Sequence, residues 1–177
     1  MRHLGRLVPI LLLLPPTPRL DAQQSSALPD WLVADTTAKA VNLNLVVSAP
    51  PGAASAVING YRDGAIQIVV PLNWTVGWHW QSSDSTAAHS LVLVQEREKL
   101  PLQGDRPAIQ NAMTRMVTVG LKAGQTDVTT FTADQAGWFW LLCGVAGHAV
   151  KGEWIGLRVD PDAKLPSVKE KSVKGEK

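Results

Sequence analysis

Apolar and polar residues along this chain alternate with a period of two, and no stretch sustains a helical period. Residues 41–47, Val-Asn-Leu-Asn-Leu-Val-Val, alternate cleanly and predict a half-buried strand, which Pro50, Pro51 and Gly52 end. Residues 57–60 and 65–70 predict the next strands, separated by the turn region from Gly60 to Gly64. After a turn at Pro71-Leu72-Asn73, residues 74–80 place Trp74, Val76, Trp78 and Trp80 on one face and Thr75, Gly77 and His79 on the other. His89 leads a short apolar strand at 90–94, and residues 116–121 and 127–132 predict strands around a turn at 122–124. Residues 137–142 and 155–159 complete about eight or nine short strands at the spacing of an all-β fold, a Greek-key β-sandwich or barrel. Residues 30–39 read as a short helical or irregular lead-in. Residues 96–112, charged and broken by Pro101, Gly104 and Pro107, read as a long surface excursion with at most one helical turn.

The two ends fall outside this pattern. Arg2 and Arg6 precede an apolar run at 7–14, and Leu20-Asp21-Ala22 offers a cleavage site, so residues 1–22 read as a secretory signal. The run is far shorter than the roughly 20 residues of a spanning helix. The expected organisation is a signal at 1–22, a linker and lead-in at 23–40, one folded domain at 41–160, and a disordered Lys-rich tail at 161–177. An exported protein, periplasmic or extracellular, is the expectation. Of 17 basic and 15 acidic residues, the signal takes Arg2, Arg6, Arg19 and Asp21, leaving 14 of each sign. A balanced mature chain gives no support to nucleic-acid binding. The lysine tail is a solubilising segment and a candidate for peripheral contact with an acidic membrane surface.

Cysteine is scarce. The one cysteine, Cys143, leaves an exported chain without an internal disulfide. A buried inert thiol is the plain reading of such a residue, but its neighbours differ from that pattern. His148 follows five residues later and Glu153 five after that, in the stretch GWFWLLCGVAGHAVKGEW. A cysteine nucleophile with a histidine base would need an orienting group and an oxyanion site that the sequence does not mark. Structural zinc usually shows closely spaced ligand pairs, and there is one cysteine here. Two histidines, one cysteine and a weak axial group form the ligand set of blue-copper sites, and the order fits: a histidine before a strand, a cysteine at a strand end, a second histidine across a short loop.

At these residues the chain resembles the cupredoxins, and among them the sulfocyanin-like proteins. The matching pieces are Asn59-Gly60, Pro71 with Trp74-Thr75-Val76, His89-Ser90-Leu91-Val92-Leu93-Val94, and above all Cys143-Gly144-Val145-Ala146-Gly147-His148-Ala149 through Gly152-Glu153-Trp154. The resemblance spans roughly residues 41–159. It implies one copper ion held by His89, Cys143 and His148, and a monomeric carrier of single electrons rather than an enzyme. Redox partner proteins would dock on the apolar surface of residues 144–149, near His148. An open copper site that binds or transforms a small molecule, and a copper carrier, are the alternatives.

One position departs from the family pattern. Where the resemblance implies an axial Met, this chain has Glu153. A ligating carboxylate would stabilise Cu(II), lower the reduction potential and shift the colour from blue toward green or red, and the same four groups would suit Zn²⁺. Alternatively Glu153 turns outward as a solvated acid. Met113 and Met116 are rival thioethers for which a core or loop role is expected, and His79 is expected to be a half-exposed strand residue. The tryptophans, Trp138 and Trp140 among them, are expected to be core.

Overall fold

Strand β2, Ala40–Ser48, buries Val41, Leu43, Leu45 and Val47 and exposes Asn42, Asn44 and Val46, so its alternation sets which face meets the core. A parallel neighbour, β5 (Thr75–Ser82), sets Val41 beside Val76, Leu43 beside Trp78 and Leu45 beside Trp80. The short β1 (Leu32–Asp35) and β3 (Val57–Ile58) pair opposite ends of β2, and β7 (Thr126–Thr132) pairs the far edge of β5. This first sheet runs β1-β2-β5-β7, with β3 on β2. The second sheet contains β4 (Ile66–Pro71), β6 (Val92–Gln95), β8 (Gly137–Leu142), β9 (Trp154–Asp160) and β10 (Ser167–Glu170), in the order β10-β4-β9-β8-β6. The computed structural model describes residues 28–53 and 55–171, so the expected signal at 1–22 and the end of the chain at 172–177 lie outside the described residues. No helix among the described residues is long and apolar enough to cross a membrane.

The sheets face each other over a core of Leu43, Leu45, Trp78, Trp80, Ile66, Ile68, Leu91, Phe139, Leu141 and Leu157. This is the all-β sandwich that the alternation predicts. Trp78 meets Phe131 edge-on with ring centroids 5.2 Å apart. A second, smaller cluster of Val92, Trp140, Leu142 and Ala149 sits apart from this core, with Val94, Leu100, Val117 and Trp154 packed against it. The same strand β8 therefore serves two cores, Phe139 and Leu141 the larger, Trp140 and Leu142 the smaller.

Five expectations need correction. Residues 30–39 contain β1, antiparallel to β2, rather than a helical lead-in. The tail carries β10, which pairs Val168 with Ile68 and Lys169 with Gln67 along the exposed edge of β4. An unpaired edge next to a buried strand needs a cover, and Lys169 on the outermost strand protects it against further pairing. Residues 116–121 form a turn, not a strand: Val119 and Gly120 both donate to Met116 O, and residue 121 alone bridges, to His89. Residues 96–112 have no helical turn, and their Ile109 and Ala112 are buried in the main core. Among the tryptophans, Trp138 is 45% exposed with the Arg158 guanidinium 4.8 Å over its ring, so it is a surface residue.

Candidate metal centre

Cys143 is the first residue past β8, where the strand can no longer continue because the chain must turn back into β9. Cys143 N donates to Glu153 O, so the loop opens and closes on one backbone hydrogen bond of 3.1 Å. Between them His148 N donates to Val145 O, a short 3₁₀ turn spans Ala149–Lys151, and Glu153 N donates to His148 O at 3.2 Å. Gly152 ends that turn at φ +108°, in the left-handed region that glycine enters without strain. These contacts bring the side chains at 143, 148 and 153 to one place.

Neighbouring elements pin the loop from outside. Asn59 and Gly60 form a tight turn, with Ile58 and Tyr61 exchanging backbone bonds, and the chain then runs against the loop. Arg62 donates to Lys151 O at 2.8 Å, Asp63 N to Gly152 O at 2.8 Å, and Gly64 N to Trp154 O at 3.0 Å.

His89 arrives from the other side. It is bridged to Leu121 by two backbone bonds, and Gly120 at φ +84° allows the close approach: a Cβ there would stand 2.7 Å from His89 N. Ser90, the next residue, supports the thiol. Its N–H points at Cys143 Sγ at 3.4 Å, and its hydroxyl donates to Val117 O and accepts from Gly144 N.

The result is a cluster of four donors, one each from His89, Cys143, His148 and Glu153, all within 4.8 Å of one another. His89 Nδ1 lies 2.9 Å from both Glu153 oxygens, His148 Nδ1 3.2 Å from Glu153 Oε2 and 3.5 Å from Cys143 Sγ. Cys143, His89 and Glu153 are buried, and His148 is partly open, with its side chain 21% exposed. Glu153 therefore points inward, which removes the solvated alternative. Behind His89, its Nε2 lies 2.8 Å from Asp84 Oδ2. A cavity of ≈ 280 Å³ borders the cluster, with Asp84, Thr86, His148, Lys151 and Glu153 on its walls.

Electrostatics bind the group together. Burial pushes the Glu153 carboxyl and the Cys143 thiol up, yet His148 and His89 beside them hold both below their usual values. Burial pulls His89 down, but Cys143, Glu153 and Asp84 outweigh it and raise the imidazole to about 10. Contacts with Cys143 and then Glu153 raise His148 to about 9 against the pull of burial. Burial pushes Asp84 up as well, and hydrogen bonds from Thr86 and His89 bring it down to about 2.

This balance tests whether a metal fits. Without one, two imidazolium charges stand against the carboxylates of Glu153 and Asp84, beside a thiol held below its usual value. A divalent ion that displaces one proton from each imidazole replaces their two positive charges with its own. The residues fit a thiophilic dication on charge, donor chemistry and proximity.

The metal-free protein should then lose stability as pH rises. Both imidazoles are raised above an unfolded value near 6.5, so their contribution is complete below that pH and lost through about 9 and 10. The lowered thiol works in the opposite sense, but two imidazolium protons outnumber one thiol proton. The net effect is at least one proton, about 1.4 kcal/mol per pH unit or more, and should appear in calorimetry as a midpoint that falls from neutral to alkaline pH. Metal-loaded protein should show no such fall.

The other sequence candidates lie elsewhere. His79 is exposed on β5 opposite Val128, and Met113 and Met116 are exposed on irregular segments. Asp84 and Ser90 are the contributors that sequence reasoning missed. Asp84 sits in a loop of Ser, Asp and Thr with nothing to set it apart, and Ser90 stood only as the first residue of an apolar strand.

Comparison with known proteins places the chain. A family model described as the sulfocyanin (SoxE) domain matches residues 30–168. A curated relative, sulfocyanin from Sulfolobus acidocaldarius, is 28% identical over 135 residues, covering 72% of this chain and 67% of the relative. Among solved structures, rusticyanin from Thiobacillus ferrooxidans aligns over 69% of this chain and 82% of its own, with 23% identity and a TM-score of 0.44. Copper nitrite reductase from Nitrosomonas europaea aligns over 70% of this chain and 42% of its own, with 23% identity and a TM-score of 0.51, a likeness of fold.

Proposed function

The chain belongs to the sulfocyanin domain family of cupredoxins, which bind one copper, and from that premise we propose that it is an exported carrier of single electrons between redox proteins. The observation that carries the reading is the four-donor cluster, with three of its residues buried and His148 partly open. His89, Cys143, His148 and Glu153 would hold the ion. Copper, when bound, supplies a reversible one-electron change at that position.

The protein's own task is to keep its donors in place and to bring an edge of the site to a partner. Two antiparallel bridges, the Cys143–Glu153 closure and the Arg62–Lys151 contact hold the ligand loops from different elements, so little rearrangement should accompany a change of charge. His148 is the donor residue nearest solvent. Around it, Leu102, whose carbonyl accepts from Gly147 N, and Val150 expose apolar surface of the kind that excludes water at a docking face. The buried carboxylate of Glu153 favours the more positive oxidation state, which implies a lower potential than a thioether would give. A monomer, with the lysines of its C-terminal segment offering charge to an acidic partner or membrane surface, completes the proposal.

The cavity beside Glu153 and Lys151 favours a second reading, an open site that takes a small exogenous ligand. Voltammetry and optical spectra of the copper-loaded protein separate the two. The carrier reading predicts a reversible one-electron wave and a spectrum indifferent to added azide or nitrite. A ligand-dependent spectrum, with an irreversible wave, would establish the second reading instead.

A further inference from the structure

We propose that Asp84 is a positioning residue for the metal centre: it accepts the Nε2–H of His89, so that the proton a metal ion displaces is the one on Nδ1, the nitrogen that faces Cys143, His148 and Glu153. The proposal rests on the copper reading above and deepens it. Its basis is the arrangement around one imidazole. His89 Nε2 lies 2.8 Å from Asp84 Oδ2, and His89 Nδ1, on the opposite side of the ring, lies 2.9 Å from Glu153. Both side chains of the Asp84–His89 pair are at most 4% exposed, so the bond is largely shielded from solvent.

Asp84 is held independently of any metal. Its other oxygen, Oδ1, accepts from Thr86 N at 2.7 Å and from Thr86 Oγ1. The loop that carries it is anchored just before Asp84: Ser83 donates through N and Oγ to Val47 O, and Gly124 N donates to Ser82 O. The carboxylate therefore waits at a fixed point and turns the ring to meet it. A neutral imidazole has one N–H, and placing it on Nδ1 would leave Asp84 Oδ2 facing a lone pair inside the protein. Placing it on Nε2 satisfies the carboxylate and exposes the Nδ1 lone pair to the cluster. The negative partner also makes the imidazole a stronger donor, an effect worth about 10–100-fold in metal affinity at other carboxylate–histidine–metal sites. Asp84 itself does not belong to the four-donor cluster, which lies on the far side of the ring.

The test uses the full chain with Asp84→Asn and Asp84→Ala, each checked for folding by circular dichroism. Ring ¹⁵N–¹H spectra of His89 in the zinc-loaded protein should show a slowly exchanging Nε2–H in the parent, which Asp84→Ala loses. Zinc and Cu(II) affinities, measured by chelator competition, should fall about 10–100-fold in Asp84→Ala. Asp84→Asn, which still accepts through its amide oxygen but carries no charge, should fall less and keep the tautomer. If the neutral partner weakens Cu(II) tenfold relative to Cu(I), the potential rises by about 59 mV. A merely structural role would change the thermal midpoint and leave tautomer and potential alone. Folded variants with unchanged tautomer, affinity and potential would overturn the proposal. A parent protein that shows no thiolate–copper band would instead sink the copper reading, while the ring spectra would still decide the Asp84–His89 bond. Should Asp84→Ala not fold, the isosteric Asp84→Asn carries the test through its potential.

Discussion

Cys143→Ser should remove the thiolate-to-copper absorption entirely and weaken Cu(II) binding by more than the roughly 100-fold ceiling of supporting contacts. The buried Sγ is the one soft donor of the cluster, 3.5 Å from His148 Nδ1 and supported by Ser90 N. A serine hydroxyl neither ionises near neutral pH nor offers a polarisable lone pair, so both the covalency and one of the negative charges are lost. The consequence reaches stability. A protein saturated at about a thousand times its dissociation constant gains ~4 kcal/mol from its metal, and the variant should forfeit nearly all of that gain. Optical titration with copper and paired melting curves check both parts. A variant that keeps the band would mean that Cys143 is not a ligand.

Glu153→Met should raise the reduction potential and move the spectrum toward that of a site with a weak axial ligand. Glu153 is 1% exposed and within 3.2 Å of both imidazoles, so its charge acts through little solvent. A unit charge about 4 Å away at an effective dielectric near 20 is worth about 4 kcal/mol. At about 1.4 kcal/mol and 59 mV per tenfold, that corresponds to a rise of up to roughly 170 mV. The metal-free variant should also be weaker by about 3–5 kcal/mol, because removing one partner strands the imidazoliums in a buried site. Redox titration and electron paramagnetic resonance of the two proteins decide it. Identical potentials and spectra would show that the carboxylate stands beside the ion without touching it.

These expectations come from different levels of the molecule. Cys143, His148 and Glu153 were legible in the sequence because eleven consecutive residues hold all three, and a loop that short leaves few ways to arrange them. His89 was legible by resemblance, since it leads an apolar strand more than fifty residues upstream and nothing local ties it to Cys143. The strands with clean alternation appear near the expected places, β2 and β5 most clearly. The turn at 116–121 resembled a strand because Met116, Val119 and Leu121 are apolar. In the structure that segment packs against the ligand loops, and its apolar residues do not alternate between two faces of a sheet.

What the sequence determined by itself is whatever depends on neighbours in the chain: the all-β class, the inward faces of β2 and β5, and the spacing from thiol to imidazole to carboxylate. Period-two alternation and short-loop geometry are local, and local rules are visible in a string of residues. The tertiary structure alone decided that Glu153 faces inward, that Asp84 stands behind His89, and that a lysine-rich segment supplies β10. Each of these is a contact between segments distant in sequence, made where a buried charge or an open sheet edge needs a partner, and no local pattern records which distant segment supplies it.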